Sequence, residues 1–253
     1  MEKHKPNGRK RLGLVGKDIN YSFSKGYFAK KFKEENINAY SYENFDLESI
    51  DLFPSLLQDS SIMGLNVTIP YKELILPYLD DIQGDAADIG AVNTIRFDQN
   101  RRAIGFNTDT FGFEKALLKM VSQIPKNALI LGTGGASKAV AYVLSKNNIS
   151  YSYVSRSPGT ENISYDALDE IKIATTPLII NCTPLGTFPN VGGAPDIPYE
   201  GINNKHLLFD LVYNPPKSKF LKLGEQKGAQ IQNGLDMLHY QAERSWDIWH
   251  LQE

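Results

Sequence analysis

The 253-residue chain has a single cysteine, Cys182, so no disulfide can form within it. That cysteine lies in the apolar run PLIINCT, where a buried structural thiol is expected and not a nucleophile. Histidine is almost as scarce, with four in all. His239 and Glu243 fit one helix face, but no third ligand stands nearby, and no metal is expected. Long apolar runs are missing: none approaches the roughly 20 residues that span a bilayer. The run Leu12–Val15, behind the basic tail MEKHKPNGRKR, is too short for a signal-peptide core, so the tail reads as solvated. An excess of either charge is also lacking, with 27 Lys and Arg against 29 Asp and Glu and a net charge of −2. That balance gives no broad pull toward nucleic acid or anionic membrane. The expectation is a cytoplasmic protein, monomer or homodimer, with a small-molecule partner. Lysine itself is absent across most of the first half, where Lys72 stands alone between Lys33 and Lys115.

What is present is ordinary globular composition, 42% hydrophobic and 22% charged, without repeats or low-complexity tracts. The first half alternates strand-like and helix-like segments: RLGLVG, FSKGYFAKKFKEEN, AYSYENF, LESIDLFPSLL, SIMGLNVTI and YKELILPYL. That order predicts an α/β layer with a mainly parallel sheet. AVNTIRF and RRAIGFN around DQNR predict a hairpin, and TFGFEKALLKM an amphipathic helix that VSQIPKN breaks. From Ala128 a second α/β unit begins, with strands ALILG, ISYSYVS, PLIINCT and LLFDLVY in the doubly wound pattern. A helix around SKFLKLGEQKG, a short strand AQIQ and a last helix LDMLHYQAERSWDIWH follow, the last carrying both tryptophans.

ALILGTGGASKAV sets Gly132, Gly134 and Gly135 between a strand and a helix, where backbone amides can approach a pyrophosphate at a positive helix terminus. Ser137 takes the third-glycine place and loosens the match, and a tight turn that binds nothing is the plain alternative. At the end of the next strand, a dinucleotide fold for NAD carries an acid on the ribose 2′-hydroxyl, whereas an arginine accommodates a 2′-phosphate. Here stand Ser155, Arg156 and Ser157, a guanidinium between two hydroxyls, which favours NADP over a merely solvated arginine.

In the first half, polar residues gather at predicted segment ends. Ser22 and Ser24 in NYSFSKG suit helix capping. NVTIPYK supplies Asn66, Thr68 and Lys72, GAVNT supplies Asn93, and GFNTDTFG supplies Asn107, Thr108 and Asp109. Asp109 suits an N-cap for a helix beginning at Thr110, and Asn93 a turn. Lys72 reads as a solvated lysine at a helix start, although an acid is better placed there.

Taken together, YSFSK, NVTIPYK, GAVNT, GFNTD, GTGGAS, SRS, LVYNPP and NGLDMLHYQ resemble, in family order and across nearly the whole chain, the signatures of shikimate dehydrogenases. The resemblance implies an N-terminal substrate-binding α/β domain, residues 1–108 with 235–253, and a C-terminal Rossmann-like NADP-binding domain, 109–234, with the last helix returning to the first domain. It implies NADPH-dependent, reversible reduction of 3-dehydroshikimate to shikimate, on the route to chorismate and the aromatic amino acids. By the same resemblance Lys72 and Asp109 are the catalytic pair. Ser22 and Ser24 take the substrate carboxylate, and Thr68, Asn93, Tyr213 and Gln241 take other parts of the substrate. Gly132, Gly134, Gly135, Ala136, Ser155, Arg156, Ser157, Thr183, Gly234 and Met237 take the cofactor. Relatives using NADP often carry a second basic residue after this arginine, and SRSPGTEN has none, which leaves room for NAD. Quinate-active relatives are alike throughout, although Ser24, where they often have threonine, favours shikimate. A cofactor-sensing module without catalysis is the alternative of another class, against which the retained Lys72 and Asp109 speak.

Overall fold

The computed structural model describes residues 9–20, 22–157, 159 and 162–251, so the N-terminal tail discussed above lies mostly outside the described residues. Two compact units divide the chain, Met1–Thr108 with Ala242–Glu253, and Asp109–Gln241. The first contains β1 (Lys10–Gly16), α1 (Phe23–Glu34), β2 (Tyr40–Asp46), α2 (Pro54–Leu57), β3 (Ile62–Val67), α3 (Tyr71–Leu74), β4 (Asp81–Ile82), α4 (Asp85–Ile89), β5 (Thr94–Phe97) and β6 (Ala103–Phe106). Its sheet runs in the order β2-β1-β3-β5-β6-β4. β1 is parallel to β2 and β3, while β5 is antiparallel to β3 and to β6, the expected hairpin. β1 shows why its apolar residues come in a continuous run. Leu12 and Leu14 enter one buried cluster with Phe28, and Val15 enters the other with Leu65 and Val67, so both faces are covered.

The second unit contains α5 (Asp109–Met120), β7 (Asn127–Leu131), α6 (Gly135–Lys146), β8 (Ser150–Ser155), β9 (Asn162–Ser164), α7 (Glu170–Ala174), β10 (Leu178–Asn181), β11 (Leu207–Asp210), α8 (Lys219–Gln226), β12 (Gln230–Gln232) and the start of α9 (Leu235–Trp249). The strand order is β12-β11-β10-β7-β8-β9, every pair parallel. This is the doubly wound Rossmann-type order, reversing between β7 and β10. Alternate residues again serve two cores: Leu129 and Leu131 one, Ala128 and Ile130 the other.

Helix α9 belongs to both units in turn. Met237 is 7% exposed in the core that contains Phe113 and Phe209. A side chain at Gly112 would come within 2.5 Å of the Met237 carbonyl, so only glycine allows α5 this approach. The part of α9 from Ala242 onward belongs to the first unit. There Ala242 and Trp249 pack with Leu12, Phe28 and Tyr42, and Trp249 Nε1 donates to the Ile95 carbonyl at 3.0 Å. Asp109 is the first residue of α5 and not the cap before it.

Candidate active site

In the first unit, three of the polar motifs are bound to one another through their backbones. The Val67 amide donates to the Asn93 carbonyl at 2.8 Å, and the Val92 amide donates to the Lys72 carbonyl at 2.8 Å. The Asn93 amide donates to Phe106 at 3.0 Å, and Asn107 Nδ2 donates to the Ala91 carbonyl at 2.9 Å. NVTIPYK, GAVNT and GFNTD thereby meet around Asn93 because β3, β5 and β6 are successive neighbours in the sheet. Thr68 just after β3 and Lys72 in α3 are half-buried, and the turn between them is tied down by the Tyr71 hydroxyl, which donates to the Leu47 carbonyl at 2.6 Å.

The side chains of this region form a buried polar set. Asn93 Oδ1 accepts from the Thr108 amide at 2.7 Å and from the Thr108 and Thr94 hydroxyls at 3.2 Å. Asn66 Nδ2 donates to Thr94 Oγ1 at 3.2 Å, to Ser245 Oγ at 2.9 Å and to the Asn93 carbonyl at 3.2 Å, while its Oδ1 accepts from Tyr42 at 2.8 Å. Burial pushes the Tyr42 phenol far up, partly offset by the Ser24 side chain, so the ring stays a neutral donor. Ser22 caps α1, its hydroxyl accepting from the Ser24 amide at 3.2 Å, as the capping reading expected. Ser24 is 8% exposed on the buried side of the same helix.

Ser245 and Thr94 escaped the sequence reading. The signal for Ser245 was its place on α9, three residues after Ala242 and four before Trp249, where an apolar side chain would be expected. A serine on such a stripe needs buried partners.

In the second unit, the turn after β7 has the features of a phosphate cradle. Gly132 has φ of +102°, which favours glycine, and a side chain there would meet Thr183 Cγ2 at 3.0 Å, so Thr183 stands directly beside the turn. Gly134 precedes α6 without any side-chain cap, and a Cβ added to it meets nothing within 4 Å, so the first amides of a 12-residue helix open on an uncrowded space. Ala136 is half-buried in that first turn. Ser137 is fully buried and its hydroxyl donates to the Gly134 carbonyl at 2.6 Å, which lets serine serve the close packing usually met by a third glycine. Ser155 ends β8 and Arg156 and Ser157 follow it, with the Ser157 amide donating to Ser155 Oγ at 3.3 Å. Arg156 is exposed, and its charge lowers the Tyr165 phenol against the larger upward push of burial. Donors, a positive helix end and a guanidinium at the neighbouring strand end fit a phosphorylated dinucleotide.

At the ends of β10 and β11, Asp210 is completely buried. It accepts from Asn181 Nδ2 at 2.9 Å, from the Val212 amide at 3.0 Å and from the Ser218 hydroxyl. Burial outweighs these donors and raises its carboxyl to about 6. Asn181 Oδ1 in turn holds the Thr183 amide at 3.0 Å and its hydroxyl at 2.6 Å. Burial with the Asp210 charge pushes the Cys182 thiol up, away from thiolate chemistry. Tyr213 is half-buried after β11, and a side chain at Gly234 would collide with the Leu211 carbonyl at 2.2 Å. Gln241 is 8% exposed, and Met237 lies in the core described above. Among the described residues no group of three His, Cys, Asp or Glu side chains could hold a metal ion, and no helix is long and apolar enough to cross a membrane.

A family profile described as the shikimate dehydrogenase substrate binding domain matches residues 14–95. A shikimate dehydrogenase (NADP(+)) of Methanococcus maripaludis is 39% identical over 95% of this chain and 91% of its own length. The protein of the same name from Clostridium botulinum is 40% identical over 94% and 95% respectively. The crystal structure of a Thermus thermophilus shikimate 5-dehydrogenase in complex with NADP(H) and shikimate superposes with a TM-score of 0.83 at 30% identity, covering 95% of this chain and 93% of that one. With such identity sustained over nearly its whole length, the chain belongs to the shikimate dehydrogenase family.

Proposed function

We propose that this chain is an NADP-dependent shikimate dehydrogenase that interconverts 3-dehydroshikimate and shikimate in the cytoplasm, as a monomer or homodimer. The first unit takes the substrate and the second the cofactor. The observation that carries the reading is the assembly of NVTIPYK, GAVNT and GFNTD around Asn93, bonded at 2.7 to 3.2 Å, in a chain about 40% identical to enzymes of that name.

When bound, the nicotinamide supplies hydride to the carbonyl carbon in the reductive direction and takes it back in the oxidative one. Lys72 supplies the proton that the developing alkoxide needs, and its ammonium stabilises the negative charge before transfer. The Lys72 backbone is anchored by the Val92 amide, so the side chain starts from a fixed point. Asp109 orients that ammonium and a substrate hydroxyl. Ser22, Ser24, Thr68, Asn93, Tyr213 and Gln241 bind the remaining polar groups. The amides of Gly134, Gly135 and Ala136 receive the pyrophosphate, with Gly132, Thr183, Gly234 and Met237 shaping the cofactor site. Ser155, Arg156 and Ser157 receive the 2′-phosphate.

Shikimate-dependent reduction of NADP, followed by absorbance of the reduced nicotinamide, tests the reading. Saturable reduction with shikimate, faster than with quinate or NAD, is the expected result. Preference for quinate and NAD would replace it with a quinate dehydrogenase, and binding of NADP without turnover would make the chain a sensor.

A further inference from the structure

We propose that Asn66, Ser245 and Thr94 are positioning residues that lock the Asn93 amide so that it offers N–H donors, never its carbonyl, to a substrate hydroxyl. The proposal deepens the functional reading above and rests on it.

The direction of the hydrogen bonds follows from groups that have no choice. A backbone amide can only donate, so the Asn93 atom 2.7 Å from the Thr108 amide must be the carbonyl oxygen. A backbone carbonyl can only accept, so the Asn66 atom 3.2 Å from the Asn93 carbonyl must be the nitrogen. Asn66 therefore donates to Ser245 at 2.9 Å, and the Ser245 hydroxyl lies within hydrogen-bond distance of Thr94 at 2.8 Å and Thr108 at 3.2 Å. Those two hydroxyls both lie 3.2 Å from Asn93 Oδ1, the acceptor at which the order ends. At the other end Tyr42 donates to Asn66 Oδ1 at 2.8 Å and keeps Asn66 from turning over.

Burial makes the order costly to break. Thr94 and Ser245 are fully buried, Thr108 is 1% exposed and Asn93 3%, so water does not replace a missing partner cheaply. Flipping the Asn93 amide would set its NH₂ against the Thr108 amide, donor on donor. The lock therefore defines Asn93 as a donor site, suited to the lone pairs of a hydroxyl. Aspartate at that position would keep the inner acceptor and lose the donor.

Thr94→Val removes a hydroxyl at nearly constant volume, and Thr94→Ser restores it. In Thr94→Val the KM for shikimate should rise roughly tenfold, the scale of one hydrogen bond to a buried polar group, with the KM for NADP within about twofold. Thr94→Ser should return the shikimate KM close to wild type. Ser245→Ala should act in the same direction, and the double variant should cost less than the product of the two, because both interrupt one chain of bonds. Thermal melting of each variant accompanies the kinetics, and Ser245→Ala carries the test if Thr94→Val fails to fold. A shikimate KM unchanged in the folded variants, or equal rises for both substrates, overturns the proposal alone. A wild-type protein without shikimate-dependent NADP reduction overturns the functional reading and the proposal with it.

Discussion

Lys72, proposed above as the proton donor, stands alone in an 81-residue interval without another lysine, Glu34 to Glu114, and is anchored beside Asn93. Its truncation leaves the bond to Val92 in place, since that bond uses the backbone carbonyl. In Lys72→Ala we expect kcat to fall by ~10²–10⁴, with a smaller change in shikimate KM, as removal of a proton donor predicts. Steady-state rates within a few-fold of wild type would take the proton-transfer role away from Lys72. Arg156 poses the same kind of question for the cofactor. It is exposed at the end of β8, so reversing its charge disturbs little packing. Arg156→Asp sets a carboxylate against the 2′-phosphate and offers an acceptor to the NAD ribose hydroxyl. NADP efficiency should collapse while NAD efficiency holds or rises, and an unchanged ratio of the two would show that Arg156 does not read the phosphate.

Among the elements, β10, β11 and the start of α8 meet at a buried carboxylate whose titration should be visible in stability. The folded-state value for Asp210, about 6, lies above its ordinary value of 3.8, so the folded chain binds this proton more tightly than the unfolded chain. Its contribution is therefore most favourable at acid pH and is lost as pH rises from about 4 to about 6, on the order of 2–3 kcal/mol in all. Asp210→Asn removes the titration and keeps an oxygen for Asn181 and Val212. Its stability relative to wild type, from denaturant unfolding at pH 4.5 and pH 7, should improve toward pH 7, and parallel pH curves would refute the argument. The same elements show what the sequence made legible. β1, β7 and β10 announced themselves as continuous apolar runs because both faces are buried, and the glycine turn stood between a strand and a helix. β4 escaped because it is a two-residue strand, Asp81–Ile82, at the edge of the sheet beside β6. Ser245 escaped for another reason. Ser245 lies far along the chain from Asn66, and only the return of α9 makes them neighbours.

On the scale of the whole chain, the two units share α9, which runs unbroken from Leu235 to Trp249. Met237 is buried in the second unit's core and Trp249 in the first's, where Phe28 alone accounts for roughly 1.5–3 kcal/mol of burial. Both tryptophans, Trp246 and Trp249, lie beyond Gln241, so their fluorescence reports the first unit, whereas far-UV circular dichroism reports both. A ligand of the second unit stabilises whatever unfolds together with it, by about 2.7 kcal/mol at a hundred times its Kd. Because unfolding of either unit must terminate α9 in mid-helix, with its amides and carbonyls left unpaired, we expect the two to unfold together. Saturating NADP should then move the tryptophan transition to higher temperature by as much as the circular dichroism transition, although both tryptophans belong to the first unit. If NADP shifts only part of the circular dichroism curve and leaves the tryptophan midpoint where it was, the units unfold separately and α9 does not couple them.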